Sequence, residues 1–210
     1  MSKIVVFGVQ DFAELAHYYL TNDSQHEIVA FTVSKEYYKD VTFLGLPVVP
    51  FEDVENMFPP TEYKMFAPMS AGKDMNKSRA NIYTRAKDKG YELISYISSH
   101  ATVLTENIGD NCFILEDNTI QPFVTIGNNV ILWSGNHIGH HSTIHDHVFF
   151  TSHVVVSGHC DVGAYSFLGV NATLRDGLKI AENSFIAMSA SITKNTSVGG
   201  RYKGYYSEIN

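Results

Sequence analysis

The stretch LWSGNHIGHHSTIHDHVFFTSHVVVSGHC, residues 132–160, decides the fold. Leu132, Ile138, Ile144, Phe150 and Val156 recur in it every sixth position. The same phase runs outward without a break. Before it come Ile108, Ile114, Ile120 and Ile126; after it come Val162, Leu168, Leu174, Ile180, Ile186, Ile192 and Val198. At 44% apolar residues, chance would fill one such fixed phase with a probability on the order of 10⁻⁶. A period of six fits neither an α-helix nor an ordinary meander. It fits a β-solenoid with three flat faces per coil, about 18 residues per coil and roughly five coils. Residues 18 apart then sit one above another, with strands about 4.8 Å apart. The isoleucines point inward, where branched side chains suit a pleated, crowded surface. Glycine often follows the apolar position (Gly109, Gly127, Gly139, Gly163, Gly169, Gly199). Its tolerance of positive φ suits a corner at fixed spacing.

The first hundred residues have another rhythm. KIVVFG (3–8), EIVAFTV (27–33), YKMFAPMS (63–70) and ELISYIS (92–98) read as strands, and LGLPVVP (44–50) as a short strand or turn. A helix follows the first strand, with Phe12, Leu15, Ala16 and Tyr19 on one face. Residues 73–90 read as a charged surface helix. Strands alternating with helices imply a small parallel α/β unit. The boundary falls near His100–Ile108, giving domains 1–100 and 101–210.

Composition narrows the function. The formal charge is −7 and no basic block occurs, so nucleic-acid binding is not expected. No apolar run approaches the roughly 18 residues of a membrane span. The start, MSKIVVFG, has no signal-peptide layout, and the expected compartment is the cytoplasm. Cys112 and Cys160 lie too far apart in sequence for a CxxC site and imply neither a disulfide framework nor structural zinc. The turn Gly8-Val9-Gln10-Asp11 lacks the GxGxxG pattern, which argues against NAD. Gly8 either lets the strand turn into the helix or helps present the helix N-terminus to a nucleotide.

Histidine carries the chemistry. Seven of the ten fall between His137 and His159, and imidazole titrates near neutral pH without special tuning. His140 lies two places after Ile138, on an outward part of its coil. Eighteen residues onward is Gly158, which leaves room for substrate beside a base and offers a backbone N–H to a reacting carbonyl. The same count pairs His141 with His159. His145, His147, His153 and His159 read as surface or inter-subunit hydrogen-bonding groups.

Hexads behind a small α/β unit, together with KIVVFG and the IGHHSTI block, resemble the bacterial sugar acyltransferases with a left-handed β-helix. The similar branch contains sialic-acid O-acetyltransferases and N-acetyltransferases of nucleotide-linked amino sugars. The resemblance implies a Rossmann-like N-terminal acceptor domain, a left-handed parallel β-helix, acetyl-CoA as co-substrate, no metal and a homotrimer. It implies His140 as general base and Gly158 as the backbone amide near the thioester. Val170 and Met188, with Lys194 toward a phosphate, would contact CoA. Gly8, Val9, Gln10, Trp133 and His141 are the candidate acceptor-binding positions. The family's acidic residue after the base is here His141, with Asp146 as a possible substitute orienting partner. Phe31-Thr32-Val33-Ser34 replaces an acidic strand end. The tail VGGRYKGYYSEIN caps the solenoid or meets adenine through Tyr202, Tyr205 or Tyr206. His137, Trp133 and Phe149 are candidate interface groups.

The expected reaction is direct acetyl transfer to a sugar amine, with O-acetylation as the alternative, since one base serves both nucleophiles. Two readings come from other classes. One is a zinc hydrase similar to γ-class carbonic anhydrases, binding zinc between subunits through His140, His145 and a third histidine among His159, His153 and His100. The other is a non-catalytic trimeric scaffold.

Overall fold

Every sixth residue from Asn111 to Ser189 has a positive φ in the computed structural model, which describes residues 1–206. These left-handed residues form the solenoid's corners. They are chiefly asparagine, aspartate and histidine, the residue types that tolerate this region best after glycine. Four are His141, His147, His153 and His159, with φ of 58–63°. Part of the histidine enrichment is therefore corner chemistry.

Of the repeat glycines only Gly199, at φ 67°, has the expected positive φ; the other five do a different job. Gly109, Gly127, Gly139, Gly163 and Gly169 are not at positive φ. A Cβ on Gly139 would lie 2.6 Å from the Gly158 nitrogen, and one on Gly163 2.5 Å from the Glu182 nitrogen. Glycine is needed there because the next coil's backbone passes too close for a side chain.

The three faces are parallel sheets of seven, seven and four strands, each rung two residues long. Partners are eighteen apart, as in Ile131 with Phe149, His137 with Val155 and Thr143 with Asp161. The hexad residues from Ile114 to Ile192 are buried, whereas Val198 is exposed and lies outside the column. A second buried layer, two residues earlier in each hexad, holds small or medium side chains such as Ser142, Val154, Ala172 and Ala190. Cys112 and Cys160 are members of this layer and are free thiols. Burial pushes the Cys112 thiol up to about 12 and also raises Cys160. Neither is a ready nucleophile.

The N-terminal unit has β1 (Lys3–Phe7), α1 (Asp11–Asn22), β2 (Glu27–Val33), β3 (Thr42–Phe43), β4 (Leu46–Pro50), α2 (Val54–Met57), β5 (Lys64–Phe66) and α3 (Lys77–Asp88). Its sheet has the order β3-β4-β2-β1-β5, parallel except for the β3–β4 pair. Segment 92–98 serves both halves. Leu93 bridges to Met65 of the α/β sheet, while Tyr96–Ile97 pairs with Phe113–Ile114 as the first rung of the solenoid. At the other end Arg201–Tyr202 and Tyr205–Tyr206 add closing rungs, so this part of the tail caps the solenoid. The side chains of Tyr205 and Tyr206, expected to meet adenine, lie outside the described residues.

Helix α1 is wedged between the sheet and the solenoid. Ala13, Ala16 and Leu20 are buried, whereas Phe12, Leu15 and Tyr19 form a half-buried second face. Phe12 packs edge-on to Trp133 at 5.7 Å, and Tyr19 edge-on to Phe113 at 5.9 Å. Phe149, expected at an interface between chains, is only 4% exposed because this seam already covers it.

The charged helix α3 is not merely a surface helix, since Arg79, Ala80, Ile82 and Ala86 are buried along one side. Arg79 donates to the carbonyls of Asn129 (2.5 Å) and His147 (3.2 Å) and to the Asn76 side-chain oxygen (2.8 Å). It meets no carboxylate among the described residues, and burial pulls its guanidinium down to about 9. Next to it, Asn111 donates to Asn129, and the Asn129 amide meets His147 Nδ1 at 2.9 Å. His147 is thus a buried docking residue rather than a surface one. Along the same face Phe149, Phe167 and Phe185 stack at 5.6 and 5.2 Å. Arg79 lies over the first ring and Arg201 over the last.

Burial, and then the Arg79 charge, lower the His147 pKa. The unfolded chain protonates this ring below about pH 6.5, while the folded chain resists its protonation to a lower pH. Stability from this site is full above that pH and declines as pH falls through the lowered folded value. The expected result is a melting temperature lower at pH 5.5 than at pH 7.5, with a smaller drop in His147→Asn. An equal drop in the variant contradicts it.

Candidate active site

His140 and Gly158 meet as the eighteen-residue count requires. A Cβ built on Gly158 would lie 2.8 Å from His140 Cε1 and 2.9 Å from Nε2. The imidazole therefore lies over the glycine, and a methyl group there would have to displace the ring. Among the described residues no acceptor pairs with the Gly158 N–H. That leaves a backbone donor beside a ring nitrogen, the pairing that acyl transfer uses for a developing oxyanion and a proton.

The His140 ring meets His141, not Asp146. His140 Nδ1 and His141 Nδ1 are 3.0 Å apart. If His141 accepts, His140 carries its proton on Nδ1 and keeps a lone pair on Nε2, the nitrogen facing Gly158. Asp146 instead accepts from the Asn128 N–H at 2.7 Å. The His140 main-chain N–H donates to Gln121 Oε1 at 2.9 Å, which fixes the corner. Gln121 was not singled out from sequence, although it sits one residue off the eighteen count.

The other histidines separate. His145 Nε2 faces Asp161 Oδ1 at 3.1 Å, away from the group formed by His140, His141 and His159. His153 lies against Gly135, where a Cβ would come within 2.5 Å of its Nδ1. The set of His140 with His145 expected for a zinc hydrase is not assembled within one chain.

The remaining candidates are Lys194, Val170, Met188, Trp133 and the Gly8 turn. By the eighteen count Lys194 follows His140, Gly158 and Asp176, but beyond Ile192 that count no longer holds, since Thr196 N–H donates to the Lys179 carbonyl and Phe185 pairs with Arg201. Lys194 has an interaction partner of its own. Val170 and Met188 are exposed, at 38% and 71%, and stack on a different edge from His140, the one that carries Ser134 and Ser152 beside Trp133. Trp133 is half-buried against Phe12. The turn Gly8-Val9-Gln10 is therefore next to this second edge. Gly8 has φ +114° and donates its N–H to Thr32 at 2.7 Å, so the turn itself requires glycine there. The N-terminal unit packs on the face holding Phe113, Ile131 and Phe149. His140 lies on the edge opposite that face, between the other two sheets. One chain alone does not bring Gly8, Val9, Gln10 or Trp133 to His140.

A family model described as bacterial transferase hexapeptide (six repeats) matches residues 107–140. No curated protein matches the chain by sequence. Among solved structures the chain is similar to perosamine N-acetyltransferase from Caulobacter crescentus, in a complex with CoA and GDP-perosamine. That match has a TM-score of 0.84 and 18% identity over 97% of this chain and 98% of the other. The acetyltransferase domain of PglB from Neisseria gonorrhoeae matches with a TM-score of 0.80 and 18% identity, over 96% of each chain. WeeI from Acinetobacter baumannii matches with a TM-score of 0.63 and 17% identity, again over 96% of each. No helix among the described residues is long and apolar enough to cross a membrane. The chain has the fold of these acetyltransferases, a Rossmann-like α/β unit followed by a left-handed parallel β-helix built from hexapeptide repeats.

Proposed function

We propose that this protein transfers the acetyl group of acetyl-CoA to the amino group of a nucleotide-linked sugar, in the cytoplasm and as a homotrimer. The observation that carries the reading is the His140 imidazole held over Gly158, with its Nδ1 against His141 and an unpaired amide beside it. CoA and GDP-perosamine in the similar Caulobacter crescentus structure support the substrate class.

The reaction then balances without a covalent enzyme intermediate. The sugar nitrogen attacks the thioester carbon, and His140 Nε2 takes the proton that nitrogen loses. Gly158 N–H meets the oxyanion. Collapse breaks the C–S bond, and His140 returns the proton to the departing thiolate. The raised thiols of Cys112 and Cys160 fit this direct route.

Where the groups lie supports the trimer. The base is on one edge; Val170, Met188, Trp133 and the Gly8 turn are at another. A single cleft using both sets needs edges from two chains, and a three-sided prism can supply them around a threefold axis. His137 remains a candidate interface group.

The test follows thiol release from acetyl-CoA with a panel of nucleotide-linked amino sugars, with the product identified by mass spectrometry. A base-stable amide supports N-acetylation, while a product cleaved by mild base shows O-acetylation instead. No sugar-dependent thiol release with any acceptor overturns the proposal. A substitution tests the geometry. Gly158 is not at positive φ, so alanine is compatible with the backbone, but its methyl must displace the His140 ring. Gly158→Ala is expected to lower kcat at least about tenfold with the fold retained. Unchanged kcat removes Gly158 from the site.

A further inference from the structure

The edge that carries His140 also carries a column of rings. Phe123, His141 and His159 are corner residues one coil apart, at φ 65°, 58° and 58°. Phe123 and His141 lie 4.7 Å apart, and His141 and His159 stack at 4.9 Å within 16° of parallel. His140 stands edge-on to both imidazoles, at 5.2 and 5.0 Å. The next corner is Gly177, where a Cβ would meet nothing within 4 Å. The column is therefore closed by a phenyl ring at one end and open at the other. All three imidazoles are exposed, and one ring nitrogen from each lies within 4.8 Å of the others.

Ligands on a tetrahedral zinc ion at 2.0–2.1 Å stand about 3.3 Å from each other. The Nδ1 atoms of His140 and His141 are already at 3.0 Å. Side-chain rotation at His159 supplies the remaining approach, since its ring is exposed and its imidazole torsion is soft. Neutral imidazole is a good ligand for zinc, copper and nickel. The family's acidic residue would stand at 141, so His141 is what makes the set all-nitrogen in this chain.

We propose that His140, His141 and His159 form a three-imidazole site for a divalent transition metal, zinc foremost, whose occupation switches off acetyl transfer. Metal on either nitrogen of His140 removes the base. On Nε2 it occupies the lone pair directly; on Nδ1 it shifts the ring proton to Nε2. The binding half of the proposal stands on geometry alone, and the switching half rests on the function proposed above.

The test uses the full chain, dialysed against chelator and titrated with zinc in competition with a chromophoric chelator. Cobalt replaces zinc in a second titration, to read visible absorption from nitrogen ligation. The wild type is expected to take up one equivalent per chain. His159→Asn is expected to bind at least about tenfold more weakly. Asparagine occupies the equivalent corner at Asn171 and Asn183, so this variant should keep the fold, and melting checks that it does. His153→Asn, a corner variant off the column, is expected to bind as the wild type does. With chelator present, His153→Asn should turn over as the wild type does; with zinc added, both should stop and chelator should restore them, whereas His159→Asn should keep its zinc-free rate. No stoichiometric uptake by the wild type, or equal affinity in His159→Asn, overturns the site. Stoichiometric uptake with zinc-insensitive turnover overturns the switch. If no acceptor is ever acetylated, the titrations still decide the site, so the two failures are distinguishable.

Discussion

Replacing His140 with alanine is expected to lower kcat at least about a hundredfold, with acetyl-CoA affinity nearly unchanged. General-base help is worth about 10²–10⁴-fold. The ring lies against Gly158 and His141, with His159 edge-on beside it. The candidate CoA residues Val170 and Met188 are on another edge, so thioester binding should survive the loss. Turnover with a nucleotide-linked amino sugar, together with direct acetyl-CoA titration, checks both halves. Near-normal kcat in the variant removes His140 from the chemistry. A large loss of acetyl-CoA affinity with kcat preserved would make it a binding residue instead.

Replacing Arg79 with alanine is expected to cost about 3 kcal/mol of stability. The substitution strands the carbonyls of Asn129 and His147 in the seam between the two halves, along with the Asn76 side-chain oxygen. Unpaired buried polar groups cost about 1–3 kcal/mol each, and relief from burying a lone guanidinium returns part of that. At roughly 2–4 °C per kcal/mol for a chain of this size, the melting temperature should fall by about 6–12 °C. Arg79→Lys should lie between, because one ammonium cannot span both carbonyls with a fixed fork. A shift under about 2 °C for the alanine variant would show that the seam is held by its apolar side chains alone.

The solenoid was legible in the sequence because its rule is strictly periodic. Counting eighteen also placed His140 over Gly158 before any coordinates, since stacked coils turn sequence separation into contact. The same arithmetic misread the glycines. That Gly139 must be glycine depends on the backbone at Ser157 and Gly158, a distance no local propensity reports. The positive φ belongs three residues after each inward residue, where asparagine, aspartate and histidine mostly stand in glycine's place. Arg79 was hidden for another reason. It sits among lysines and other polar residues on α3, and only the arrival of Asn129 and His147 makes that side of the helix an inside. A visible cue was the spacing of Arg79, Ile82 and Ala86 along one helical side. The His140–His141 contact joins neighbouring residues whose convergence depends on the corner conformation at 141, so adjacency alone did not reveal it.

In a stacked spiral each winding rests mostly on its neighbours, and warming loosens such structures from their free ends. The phenylalanine column with a guanidinium at each tip runs across that grain. It works as a line of rivets, tying the last turn, through Arg201, to a helix that the ribosome makes long before it. The tail end's resistance to unravelling is therefore set partly from the opposite half of the polypeptide.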